Sequence, residues 1–161
     1  AGADPQTPTL DGVSPLQVAT GFGHSHQAAH IVPDARMATI EYLVDILDAD
    51  VNFRDGKGYT PLHGAALVGR NDIIMFLVER GADVKVRSNM VNGRADDTDV
   101  DVADGTGDTI ADYANGPSMN STVYPDTVSL LIRLGSEFST NCRSSTCVNP
   151  TRPDRNNNNH Q

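Results

Sequence analysis

Three imidazoles stand within seven residues, in the run His24-Ser25-His26-Gln27-Ala28-Ala29-His30. Neutral imidazole ligates zinc and related transition metals, and His26 and His30, four residues apart, share a face if the segment is helical. Spacing assigns no fourth ligand, so histidines that merely hydrogen-bond their own loop are the competing reading. A second cluster is acidic. Six aspartates lie in the thirteen residues from Asp96 to Asp108, a density that suits calcium. Asp99, Asp101 and Asp104 are out of step with an EF-hand loop, and no Glu closes it, so a solvated acidic loop competes with a calcium site. Beyond possible zinc or calcium at these clusters, no cofactor is expected.

The two cysteines, Cys142 and Cys147, are close together and flanked by polar residues. A disulfide closing a small loop is the expected reading, and it implies an oxidising, extracytoplasmic home, periplasmic or secreted. Half of a metal site is the alternative. Haem attachment is disfavoured because Val148 stands where a ligating His would follow the second Cys.

Catalytic patterns are weak. Gly105-Thr106-Gly107 lacks the strand and helix that a phosphate loop needs, and no Gly-x-Ser-x-Gly occurs. The net charge of −9 argues against nucleic acid and against an anionic membrane surface. No apolar run has the length of a transmembrane helix. At 161 residues the chain reads as one domain.

The elements that position these residues are clearest between Gly58 and Val86. Thr60 suits an N-cap, and Pro61 suits the first helical position, where a missing N–H costs nothing. Leu62 to Val68 then form a short helix with small Gly64, Ala65 and Ala66, ended by Gly69. Asn71 is expected to cap a second helix, with Asp72 complementing its dipole and Ile73, Ile74, Leu77 and Val78 as its apolar stripe. Gly81 stops that helix. Two short helices of this kind cannot bury their faces alone and must stack on copies of themselves.

This stretch resembles an ankyrin repeat along nearly its whole length, through Thr60-Pro61-Leu62-His63 and Gly81-Ala82-Asp83-Val84. The resemblance implies an all-α ankyrin solenoid that binds proteins and does not catalyse. It also implies a structural His63 that bonds backbone groups of adjoining turns. Ser14-Pro15-Leu16-Gln17 and Met37 to Leu47 echo the two helices upstream, while Thr109-Ile110-Ala111-Asp112 and Pro125 to Leu134 echo them downstream. About three repeats are expected, over 11–52, 55–87 and 104–139, within a domain 1–139. Residues 1–6 resemble the tail of a preceding repeat, so the true N-terminus is expected to lie upstream. Residues 140–161 are expected to be a polar Cys-containing tail, as in some bacterial ankyrin-repeat proteins that also end in a Cys pair.

Gly12 to Gly58 is 46 residues and Gly58 to Gly107 is 49, which leaves roughly 13 and 16 residues beyond an ankyrin period of about 33. The surplus maps to insertions around 22–36 and 88–105, with a smaller one around 116–124.

The resemblance places the binding groove on turn tips and inner helices. On repeat two it assigns partner contacts to Phe53, Arg54, Lys57, Tyr59 and Leu67. Tyr59 and Arg54 are types favoured at hot spots, while Phe53 and Leu67 are equally suited to packing on the insertions. The expected function is a protein-binding or assembly scaffold. The alternatives are a metal-binding or sensing module built on 24–30 and 96–108, or the non-catalytic part of a larger enzyme or redox protein. Leu16, Val18 and Ala19 lack a visible upstream partner, so an exposed apolar face and self-association or instability are expected there.

Overall fold

The computed structural model describes residues 4, 7–22, 33–91, 100–101, 103, 105–116, 122–139 and 147–148. Within them lie three helix pairs: α1 (Pro15–Thr20) with α2 (Pro33–Glu41), α3 (Pro61–Leu67) with α4 (Asn71–Glu79), and α5 (Ile110–Ala114) with α6 (Pro125–Leu134). Proline opens four of the six, where its fixed φ favours the first helical turn. Helix α3 packs between α1 and α5, so the first helices of the pairs form one continuous layer.

Each first helix starts with the same device. The residue three places after the N-cap reaches back to it: Gln17 to Ser14, His63 to Thr60, Asp112 to Thr109. Ser14 N–H donates to Gln17 Oε1 at 2.9 Å, Thr60 N–H to His63 Nδ1 at 3.1 Å, and Thr109 N–H to Asp112 Oδ2 at 2.9 Å. All three side chains are buried. Gln17 and Asp112 also tie their helices to other segments. Gln17 Nε2 donates to the Tyr59 carbonyl at 2.8 Å. Asp112 can only accept, and takes bonds from Ser139 N–H at 3.2 Å and Ser139 Oγ at 2.7 Å.

The core follows the expected stripes. Ile73, Ile74 and Leu77 are fully buried, with Val128 and Leu131 in α6 and Ile40 in α2. Some expectations change. Asn71 is the first residue of α4 and Arg70 is its N-cap, without a side-chain cap bond, while Asp72 pairs with the Arg70 guanidinium. Pro33 to Arg36, assigned to the first insertion, belong to α2. Beyond Glu41 the backbone widens into a π-helical turn, Tyr42–Ile46. Leu16 is 1% exposed, so the expected open face at α1 is closed at that residue by the chain itself. The second insertion carries a two-stranded antiparallel pairing, β1 (Met90–Val91) with β2 (Val100–Asp101).

Side chains also lock neighbouring pairs together at their turns. Asn52 Nδ2 donates to the Gly81 carbonyl at 2.9 Å, and Asp83 N–H donates to Asn52 Oδ1 at 2.8 Å. Arg80 pairs with Asp45 at 2.6 Å across the second helices, with its guanidinium over the Phe76 ring. Arg87 pairs with Glu137 at 2.6 Å.

Candidate partner-binding surface

The turn before α3 is built around Asp55, whose Oδ1 accepts from the N–H groups of Lys57 and Tyr59, each at 2.9 Å. This Asx-type turn projects Arg54 and Lys57 to solvent. Their backbones and heads are braced by the segment that starts the second insertion. Asn89 N–H donates to the Lys57 carbonyl at 2.8 Å. Arg54 Nη2 donates to the Arg87 carbonyl at 3.1 Å and to Asn89 Oδ1 at 3.2 Å. The result is an exposed cationic tip held by backbone bonds on an otherwise acidic protein.

The other three expected contact residues are placed differently. Phe53 and Leu67 are half-buried, and Leu67 packs on the core. Tyr59 is only 7% exposed, so its ring is packed into the core. The cause is Phe22, which stacks on Tyr59 with ring centroids 4.9 Å apart and an interplanar angle of 21°. Tyr113 meets Tyr59 edge-on at 5.2 Å and lies 6.5 Å from Phe22, and His63 meets Tyr113 edge-on at 5.2 Å. Gly64 makes the room: a Cβ there would lie 3.0 Å from Phe22 Cδ2 and 2.7 Å from Thr20 Oγ1.

His63 sits beneath these rings, fully buried. Burial drives its pKa down to about 3; the Arg54 charge adds to the shift and the Asp108 backbone opposes it. Nδ1 accepts from Thr60 N–H, which places the proton of the neutral ring on Nε2. Nε2 has no hydrogen bond of good geometry among the described residues. His63 is therefore a neutral structural imidazole, unsuited to proton transfer near neutral pH.

Sequence reasoning missed Phe22 and Tyr113 as partners of Tyr59. The available signal was the shared position of Val18, Gly64 and Tyr113, each directly after the capping residue of its helix. One glycine between two larger residues marks a notch that a fourth side chain can fill.

The metal readings fall mostly outside the described residues. His24, His26 and His30 lie outside them, as do Asp96, Asp97, Asp99 and Asp104. Asp108, within them, is buried beside the N-cap of α5. Among the described residues no three His, Cys, Asp or Glu side chains gather as a metal site would require. Cys142 also lies outside them, whereas Cys147 is described and is not a free thiol. Beside it, Val148 exchanges two hydrogen bonds of 2.9 Å with the buried Asn115 amide. Val148 thus docks on the third helix pair. No helix among the described residues is long and apolar enough to cross a membrane.

A family model described as "Ankyrin repeats (3 copies)" matches residues 1–88, more than half of the chain. A rice protein, "BTB/POZ domain and ankyrin repeat-containing protein NPR3", is 35% identical over 75 residues, covering 47% of this chain and 12% of the relative. The spider "Alpha-latroinsectotoxin-Lt1a" from Latrodectus tredecimguttatus is 31% identical over 86 residues, 53% of this chain and 5% of the toxin. Human "Ankyrin repeat domain-containing protein 49" is 45% identical over 49 residues, 30% of this chain and 20% of the relative. The chain thus spans at most a fifth of the length of these three relatives.

Proposed function

Because the chain belongs to the ankyrin-repeat family, we propose that it binds or assembles protein partners through the turn tip of its second helix pair, without catalysing a reaction. Ankyrin repeats are generally protein-interaction modules, and the array recurs in relatives as unlike as a BTB/POZ protein and a toxin. The observation that carries the reading here is the braced cationic tip. Arg54 and Lys57 are exposed, and the bonds from Asn89 and to Arg87 and Asn89 already hold the tip in place. A partner then spends little entropy on ordering it. Comparative affinity capture with the wild type and with Lys57→Glu, both verified as folded, tests this. A protein enriched on the wild type and lost on the variant supports the tip. Equal capture by both would move the interface elsewhere.

The Cys142–Cys147 pair belongs to the same proposal as a staple on the segment that docks against Asn115. Such a staple fits an oxidising, extracytoplasmic compartment, which is part of the proposal. A thiol assay on denatured, unreduced protein should find no free thiol; two reactive thiols would remove both the staple and the extracytoplasmic assignment.

A further inference from the structure

We infer that Arg36 and Arg70, at the neighbouring starts of α2 and α4, form a receptor for a phosphate group. This goes beyond the protein-binding reading, because it assigns a ligand site away from the turn tips. Arg36 closes the first turn of α2 and is only 9% exposed. A guanidinium keeps its charge, and burying it is costly unless acceptors surround it. Among the described residues the Arg36 guanidinium has neither a hydrogen bond nor an ion pair. Arg70, Arg80 and Arg87 are less buried, and each has its own carboxylate: Asp72, Asp45 and Glu137. The Arg36 pKa is lowered, first by burial and then by the charge of Arg70. Where a carboxylate would be expected, the fold supplies a second cation.

Arg80, just past α4, bonds Asp45 in the π-helical turn that continues α2. At the opposite end Arg70, the N-cap of α4, acts on Arg36. The two helices therefore run side by side in one direction and bring their positive ends together. Asp72 accepts from Arg70 Nε at 2.9 Å and from Nη2 at 2.5 Å, and so offsets one of the two charges. It is not among the groups acting on Arg36. A phosphate group supplies what the site lacks: several acceptor oxygens, a bidentate fit to the Arg36 fork, and a charge of about −1.5 to −2. Bound there, it bridges the first and second helix pairs. The net charge of −9 repels anions at long range, so the donors at contact, and not the overall field, hold the ligand.

Thermal unfolding at fixed ionic strength, with inorganic phosphate replacing chloride, tests this. The wild-type Tm should rise saturably, by about 3–6 °C at ten times the phosphate Kd. Arg36→Met keeps an apolar stem and removes the charge, so it should show no such rise. Arg36→Lys puts a point charge in place of the fork and should need at least about tenfold more phosphate. If Arg36→Met does not fold, Arg36→Lys alone gives the comparison, and a response equal to that of the wild type then counts against the site. N-acetyl-O-phosphoserinamide, measured beside the ion, distinguishes the source. A lower Kd for this derivative makes the natural ligand a phosphorylated side chain of a partner; an equal or lower Kd for the ion makes it free phosphate, and either result upholds the site. No saturable rise in the wild type, an equal rise in Arg36→Met, or the same rise with chloride alone overturns the inference. The probes need no protein partner, so this result stands apart from the outcome of affinity capture.

Discussion

Gln17, His63 and Asp112 occupy one position in three helices and meet one demand, the unpaired N–H of the N-cap. They differ in what the other end can do. The Gln17 amide donates onward to the Tyr59 carbonyl, whereas the Asp112 carboxylate only accepts and takes the Ser139 segment that follows α6. His63 carries a pH dependence that the other two lack. Its pKa falls from 6.5 to about 3 on burial, so the unfolded chain binds a proton that the folded one refuses between those values. Its contribution is complete above pH 6.5 and declines as pH falls toward 3. Stability should drop by about 2 kcal/mol between pH 7 and pH 5 from this group. His63→Gln, which copies Gln17, should flatten that slope in denaturant titrations; an unchanged slope would show that His63 is not its source. The cap role of Thr60 and the structural role of His63 were legible in Thr60-Pro61-Leu62-His63. The burial of Tyr59 was not, because it depends on Phe22, 37 positions away. Residue type alone marked Tyr59 as a hot spot, and contact across the fold buries its ring.

At the scale of the element, periodicity served well where helices were regular. Pro125–Leu134 has the ends expected from the sequence, and the Ile73, Ile74 and Leu77 stripe faces the core. It served less well beside the insertions. Pro33 to Arg36 carry no apolar period of their own, and they are helical because Pro33 opens α2 and Ile40 and Leu43 anchor it. The pairing of Met90–Val91 with Val100–Asp101 was hidden by the aspartates, which read as a solvated loop. Leu77 gives the cleanest test of stacking. It is fully buried, so Leu77→Ala should cost about 2–5 kcal/mol in urea unfolding. Because α3 joins α1 to α5, the loss should be felt in neighbouring pairs as well. A cost under about half a kcal/mol would contradict a stacked array.

Across the whole molecule, the fold was legible because one intact repeat implies stacked neighbours, and the degenerate copies stood at the positions this required. The function was legible only to the level of protein binding, since partner identity lives in surface side chains that no periodic rule constrains. Two kinds of surface now compete for a partner. One is the braced tip of Arg54 and Lys57. The other is the second-helix surface, where Tyr42 and Ile46 are 54% and 67% exposed one turn apart. Burial of an apolar pair gives affinity, while a charged tip sets orientation and on-rate. The most direct measurement is amide hydrogen exchange across the chain, with and without the protein captured by the wild type. Binding through the turn tip predicts slowed exchange at Phe53 to Tyr59 and at the Arg87 to Asn89 brace, with Tyr42 to Ile46 unchanged. Protection confined to Tyr42 to Ile46, with none at the tip, would contradict it.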